Sequence, residues 1–216
     1  MLRLIRVDRL VAGVALVALT ALAGRAGAAM TAPDVLVKNV TLEVIGIIKH
    51  DQAMRNGDRK KIIGLIESKV LPHFDMRSMT ASAVGPGWRK ATPEQRAQLT
   101  EQFKTLLVRT YASALTDFSN QKFDFLPLHM SPGDTDVMVR VRVLQPDAQP
   151  VPIDYSMERT AEGWKVYDVS VGLISLVSNY RTEFGNLVRS QGVEGLIRAL
   201  KAKNATLEHS GGRDGK

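Results

Sequence analysis

The side chains that could take part in chemistry are few in this 216-residue sequence, and their spacing does not define a site. The four histidines, His50, His73, His129 and His209, share no metal-ligand spacing. Cysteine is absent, which excludes disulfides, thiolate nucleophiles and zinc–thiolate sites. The GxSxG, HExxH and GxxxxGK[ST] motifs are also missing. The sequence therefore indicates no catalytic or metal site by motif.

Acidic and phenolic side chains remain as candidates. Asp154 and Asp168 lie in predicted strands, where they either form a pair of acids or, since neither has a histidine partner in the pattern, are ordinary surface or hydrogen-bonded residues. The four tyrosines fall on apolar faces, where they either pack in a core or place a hydroxyl at the mouth of a pocket: Tyr111, Tyr155, Tyr167 and Tyr180.

Two arginines have a more specific position. Arg109 and Arg181 each lie one or two residues from an apolar stripe on a predicted helix. A guanidinium there binds either a phosphate or carboxylate of a ligand or a nearby acidic side chain. Both readings remain open for both residues.

The first half of the chain has the periodicity of helices, with apolar residues recurring every three to four positions. It predicts helices over 34–55, with Asp34 as N-cap, over 58–71, after Asp75, and over 92–118. The last of these begins with Thr92 as N-cap, Pro93 at N1 and Gln95 at N3, a capping box. Two more helices are predicted near the C-terminus, over 175–188 and 192–203.

Between these helices the periodicity changes to two, which is typical of strands. The segment DVMVRVRVL (136–144) alternates valines with other residues, VPIDYSMER (151–159) and GWKVYDVSV (163–171) follow, and QKFDFLPL (121–128) precedes them. Strands in sequential order joined by turns predict an antiparallel meander. We therefore predict an α+β fold, a twisted sheet covered on one face by helices, with an interior filled by side chains or by a ligand.

Residues 1–28 have the pattern of a cleaved secretory signal peptide. Three arginines precede the uncharged run 11–24, and AGA at 26–28 offers a cleavage site. The run would rise only about 21 Å as a helix, less than the ~30 Å of a bilayer core.

We expect one domain over 29–206 and a disordered tail over 207–216. Because 1–28 contain four Arg and one Asp, removing them lowers the net charge from +7 to +4, which favours no nucleic-acid partner.

Four stretches resemble the MlaC family, also called the toluene-tolerance or ABC-transporter auxiliary family. They are VLPHFDMRSMTASAVG (70–85), WRKATPEQRAQLTEQFKTLLVRTYASAL (88–115), QPVPIDYSM (149–157) and GWKVYDVSVGLISLVSNYRTEF (163–184). One departure is Gly85-Pro86-Gly87-Trp88, where the family usually has an aromatic residue before the tryptophan.

The resemblance implies a periplasmic phospholipid carrier without enzymatic activity. Such a carrier shuttles phospholipid between an outer-membrane lipoprotein complex and an inner-membrane ABC transporter with its substrate-binding subunit, which maintains outer-membrane lipid asymmetry. It implies a monomer with the cone-shaped fold of nuclear transport factor two plus an extra helical part. The lipid is cargo, and no cofactor is implied.

With this resemblance, strand alternation and helix periodicity predict which residues line an acyl-chain cavity. They are Leu106, Val108, Tyr111, Val139, Val141, Val143, Ile153, Tyr155, Met157, Trp164, Val166, Leu176 and Tyr180. Arg109 and Arg181 are the predicted contacts of the lipid head group.

Other functions remain as alternatives. An isomerase or dehydratase on the same cone-shaped fold would need an inward-facing acid–base pair, for which Tyr155 and an aspartate are the candidates. A binding protein for polar solutes would need hydrogen-bonding groups where these strands have valine. A peripheral membrane protein would use the basic cluster at Arg59, Lys60 and Lys61.

Overall fold

The computed structural model describes residues 30–146 and 148–210. The signal peptide predicted at 1–28 and residues 211–216 of the predicted tail lie outside the described residues.

Seven helices are present among the described residues, and two irregular turns interrupt them. The bounds are α1 Pro33–His50, α2 Gln52–Arg55, α3 Arg59–Leu65, a π-helical turn Ile66–Val70, a 3-10 turn Leu71–His73, α4 Met76–Val84, α5 Pro86–Lys90, α6 Pro93–Asp117 and α7 Leu176–Ser210. The helix predicted over 34–55 is broken at Asp51, whose carboxylate accepts a hydrogen bond from the Met54 amide at 3.0 Å and so caps α2. Asp34 is not the N-cap of α1, because Pro33 takes the first helical position and Ala32 caps it.

The long helix α6 begins as predicted. The Thr92 hydroxyl accepts a hydrogen bond from the Gln95 amide at 3.2 Å, and the Thr92 amide donates to the Gln95 side chain at 3.0 Å. This capping box fixes where the helix starts. Its apolar surface is wide enough to contact α7 on one side and the interior on the other.

The five strands form one antiparallel meander in the order β1-β2-β3-β4-β5. Their bounds are β1 Lys122–Phe125, β2 Asp136–Leu144, β3 Val151–Thr160, β4 Gly163–Val171 and β5 Ile174–Ser175. On β2, the residues of one face are all buried and those of the other are all exposed, as the alternation predicts: the buried ones are Val137, Val139, Val141 and Val143. The predicted α+β fold is confirmed, and the two-residue β5 is an addition to it.

A β-bulge in β4 changes which residues face inward. Ser156 pairs with Asp168 and Met157 with Val166, so Tyr167 is an extra residue on β4. Before the bulge Trp164 and Val166 are buried, and after it the buried residue is Val169.

Helix α7 consists of two helical halves that meet at Gly192, where φ is 71°. Glycine adopts this left-handed conformation without the steric penalty of a side chain. The second half continues to Ser210, and Leu207 packs against the core between α6 and α7. Residues 207–210 therefore belong to the helix and not to the predicted tail.

The unusual Gly85-Pro86-Gly87-Trp88 segment packs tightly against α7. A Cβ atom at Gly87 would lie 2.8 Å from a methyl carbon of Val188, so α7 fills the space where a side chain would project. The guanidinium groups of Arg77 and Arg96 both lie over the Trp88 ring, with their Cζ atoms 5.9 Å and 5.6 Å from its centroid. The glycine thus permits close approach of α5 and α7.

We predict that Gly87→Ala destabilises the protein by about 1–3 kcal/mol, because the new methyl group would overlap Val188. An alanine in an uncrowded helix would have the opposite effect. Urea unfolding of the single variant, Val188→Ala and the double variant measures the coupling. An equal loss with and without Val188→Ala would contradict this packing account.

Candidate functional site

A cavity of about 270 Å³ lies between the helices and the inner face of the sheet. Its wall is formed by α1, the π and 3-10 turns, α4, α6, β1, the inner faces of β3 and β4, and the start of α7. The lining residues are Leu36, Val37, Val40, Thr41, Val44, Ile45, Ile66, Val70, Leu71, His73, Phe74, Met76, Met79, Leu107, Val108, Tyr111, Ala114, Leu115, Phe118, Phe123, Ile153, Tyr155, Met157, Val166, Val169, Val171 and Leu176.

The wall of this cavity is almost entirely apolar. Of its 27 residues only Thr41, His73, Tyr111 and Tyr155 carry a polar side-chain atom, and none is Asp, Glu, Lys or Arg. Apolar surface of this extent binds aliphatic groups through the hydrophobic effect and offers few hydrogen bonds to a polar solute. The cavity therefore suits a hydrocarbon ligand.

Tyr155 of β3 places a phenol in the apolar wall of the cavity. Burial raises the pKa of Tyr155 to about 12, and interaction with the Thr41 hydroxyl offsets only part of that rise. The phenol is consequently neutral throughout the physiological pH range. It can exchange a hydrogen bond inside the cavity but cannot act as a base near neutral pH.

His73 lies where the cavity wall meets charged groups outside it. Partial burial lowers the pKa of His73, the positive charge of Lys165 lowers it further, and Glu43 acts in the opposite direction. The imidazole is therefore predominantly neutral at pH 7, with one ring N–H as a donor.

Seven of the thirteen residues predicted from the sequence to line the cavity do so. They are Val108, Tyr111, Ile153, Tyr155, Met157, Val166 and Leu176. They come from four different elements, α6, β3, β4 and α7, which the fold brings around one space.

The other six predicted residues are buried but belong to packed cores. Leu106 and Tyr180 lie in the core between α6 and α7, where Tyr180 packs edge-on against Phe103 with centroids 5.2 Å apart. The remainder are inward-facing sheet residues in the cluster that includes Val37 of α1: Val139, Val141, Val143 and Trp164. Periodicity finds such buried positions but does not tell whether packed side chains or an open cavity lie opposite.

The sequence prediction missed the contribution of α1 and of the two irregular turns. Leu36, Val40 and Val44 of α1 line the cavity, and so do Val70 and Leu71 of the turns. The apolar periodicity of α1 was a usable signal, because a helix with such a stripe must cover something. The π and 3-10 turns have no equivalent signal, since their apolar spacing resembles that of an ordinary helix.

Arg109 does not face the cavity. Its Nη1 donates to the Asn204 carbonyl oxygen at 2.6 Å, and its Nη2 lies 3.2 Å from a Glu208 carboxylate oxygen. The Asn204 amide in turn donates to the Gln102 carbonyl at 2.9 Å. Arg109 thus attaches the end of α7 to α6, and it is absent from the cavity wall.

Arg181 also serves a contact between helices. Its Nε donates to the Ser82 carbonyl oxygen at 3.0 Å, which links α7 to the last turn of α4. It is absent from the cavity wall. Both arginines therefore bind groups of the protein itself. Arg109 binds a carbonyl oxygen and a carboxylate, and Arg181 binds a carbonyl oxygen.

The two aspartates considered as paired acids have separate structural positions. Asp168 accepts hydrogen bonds from the Val169 amide at 2.8 Å, the Val177 amide at 3.2 Å and the Ser175 hydroxyl at 2.5 Å. It therefore organises the turn from β4 into α7. Asp154 lies opposite Arg140 in the sheet. Within residues 30–146 and 148–210, no group of three acidic or histidine side chains could hold a metal ion.

The family model described as MlaC protein matches residues 38–202 of the sequence. The chain belongs to the MlaC family. The match spans the cavity-forming elements from α1 to the second half of α7, which agrees with the four stretches that carry the sequence resemblance.

Characterised members of the family are similar over most of this chain. The intermembrane phospholipid transport system binding protein MlaC of Haemophilus influenzae is 23% identical over 177 residues, covering 80% of this chain and 82% of that protein. The toluene tolerance protein ttg2D of Pseudomonas putida is 27% identical over 166 residues, covering 76% of each.

A solved structure has the same fold. The phospholipid-binding protein from Ralstonia solanacearum, in complex with a phospholipid, matches with a TM-score of 0.76 and 37% identity, covering 81% of this chain and 98% of that chain. In this MlaC-family chain, none of the helices within the described residues has the length and apolarity needed to span a membrane.

We predict that Arg109→Met destabilises the protein by about 1–2 kcal/mol and loosens the end of α7, because two ties to the helix are lost. Hydrogen exchange of the backbone amides over 200–210 should accelerate. The exposed Arg198 of α7 provides the control, since Arg198→Met removes the same charge without these contacts. Unchanged exchange over 200–210 in Arg109→Met would contradict the structural role.

Proposed function

We propose that this protein binds a phospholipid, with its acyl chains in the cavity between the sheet and the helices. The observation that carries the proposal is the combination of an almost wholly apolar wall with a 37%-identical relative solved with a phospholipid bound. The thirteen residues predicted from the sequence have two different roles in this proposal. The seven in the wall are the candidates for lipid contact, and the other six lie in the packed cores.

We further propose that the protein is a periplasmic carrier. The signal-peptide pattern at 1–28 favours export, and the relative from Haemophilus influenzae is a component of an intermembrane phospholipid transport system. The protein would receive and deliver lipid at an outer-membrane lipoprotein complex and at an inner-membrane ABC transporter with its substrate-binding subunit. It would act as a monomer and thereby maintain the lipid asymmetry of the outer membrane.

The energetics of such a carrier depend on the bilayer from which it takes lipid. Two acyl chains contain roughly 30 methylene groups, whose removal from water is worth ~0.8 kcal/mol each, or ~24 kcal/mol together. A bilayer already supplies that free energy. The cavity therefore has only to match the bilayer approximately, and small differences set by partner complexes decide whether lipid enters or leaves.

An enzyme on the same fold has less support. It would need an acid–base pair in the cavity with pKa values near neutral pH. Burial holds the pKa of Tyr155 at about 12, and no carboxylate belongs to the cavity wall. The arrangement favours binding of an apolar ligand over proton transfer.

We predict that Ala114→Trp abolishes lipid uptake, because an indole on the cavity face of α6 would occupy the space of the acyl chains. Ala114 lines the cavity, whereas the neighbouring Ser113 is exposed, so Ser113→Trp is a matched control. Extraction of a labelled phospholipid from vesicles measures uptake, and circular dichroism verifies that both variants are folded. Equal uptake by the two folded variants would contradict the placement of the acyl chains.

A further inference from the structure

The cavity wall meets charged groups at the 3-10 turn Leu71–His73. Leu71, the first residue of this turn, and Phe74, which follows the turn, both line the cavity, and His73 also belongs to the wall. Outside the cavity, Glu43 of α1 and Lys69 of the π turn form an ion pair, with 2.6 Å between Lys69 Nζ and Glu43 Oε1. Their side chains are 48% and 44% exposed, respectively. At His73 the apolar wall therefore gives way to a charged and solvated surface.

Lys165 places an ammonium group beside this turn. Its Nζ donates to the Pro72 carbonyl oxygen at 2.7 Å, which holds it one residue away from His73. Its side chain is only 20% exposed, whereas Glu162, whose carboxylate oxygen lies 3.5 Å away, is 81% exposed. The Lys165 ammonium has three hydrogen-bond donors, and the Pro72 carbonyl oxygen accepts from one of them. The exposed Glu162 carboxylate forms a weak, solvent-screened pair, so Lys165 retains donors for a ligand.

A cation has the stronger electrostatic effect on the imidazole of His73. Lys165 and Glu43 are the two charged groups that act on the imidazole, and the effect of Lys165 is the larger. Lys69 neutralises Glu43 through the 2.6 Å ion pair. Lys165 is therefore the cation that acts on the imidazole, and its acidic neighbours are the exposed Glu162 beside it and Glu158 opposite it on β3.

We propose that Lys165 and His73 bind the phosphodiester group of the lipid at the edge of the cavity. The ammonium supplies the charge, and the neutral imidazole donates one hydrogen bond to a phosphoryl oxygen. Acyl chains that leave this point run between α1, α6 and the sheet along the apolar wall. This inference rests on the proposed function, and it assigns the head-group role to residues at the cavity edge, whereas Arg109 and Arg181 are absent from the cavity wall.

The test compares two lipids with identical chains, one of which has no phosphate. The purified protein is incubated with dioleoylphosphatidylcholine vesicles that contain a minor fraction of dioleoylglycerol, and the lipids recovered with it are quantified by mass spectrometry. The wild-type protein should enrich the phospholipid over dioleoylglycerol about tenfold relative to the vesicles. Lys165→Glu should remove this enrichment, and His73→Ala should reduce it about threefold. His73→Gln, which keeps a donor, should restore part of it.

Lys201→Glu on α7 is the control, because it makes the same charge change at an exposed residue outside the cavity wall. Equal enrichment in the wild type, Lys165→Glu and Lys201→Glu would overturn the phosphodiester site while leaving the carrier function intact. An equal loss in both lysine variants would attribute the effect to overall charge and also overturn the site. Recovery of neither lipid with the wild type would overturn the carrier function itself.

A separate titration distinguishes the lipid from free phosphate. The imidazole resonances of His73 are followed by NMR during addition of inorganic phosphate alone and of short-chain phosphatidylcholine. The proposal predicts that the phospholipid shifts them at concentrations at which inorganic phosphate does not. Equal responses would make this a free-anion site and overturn its assignment to the lipid.

Discussion

The aromatic contacts between α6 and α7 are the constraint on which the cavity depends. Phe103 packs edge-on against Tyr180 and Phe184, with ring centroids 5.2 Å and 5.3 Å apart, and all three side chains are buried. Because α6 is anchored to α7 in this way, it cannot also move onto the sheet and close the space beneath it. Protein interiors are otherwise packed without large voids. A space lined by apolar side chains persists here because the helix that would fill it is held from the other side.

An unfilled apolar cavity is unfavourable, since its lining residues lose contacts that a packed core would provide. A ligand that restores these contacts stabilises the folded protein by mass action. The carrier function thus has a physical basis in incomplete packing. Its wall of aliphatic and aromatic side chains resembles the bilayer interior, which allows lipid to be released again.

The sequence was informative where a local rule decides the outcome. The capping box at Thr92 located the start of α6, and alternation on β2 identified the buried face from Val137 to Val143. The sequence was insufficient where contacts between distant elements determine whether a buried residue packs in a core or lines the cavity. Leu106 and Val108 are both buried, but only the contact of α6 with α7 assigns Leu106 to the packed core. The bulge at Tyr167 shifted the inward face of β4 and brought Val169 and Val171 into the wall. Arg109 and Arg181 find their partners about a hundred residues away, which no spacing rule reveals.

The central claim is that the cavity holds phospholipid, and native mass spectrometry of the protein purified from bacteria without detergent tests it most directly. The account predicts a discrete mass increment that dissociates as phospholipid, and the number of acyl chains released would measure the capacity of the cavity. An unliganded mass that persists after incubation with phospholipid vesicles would contradict it.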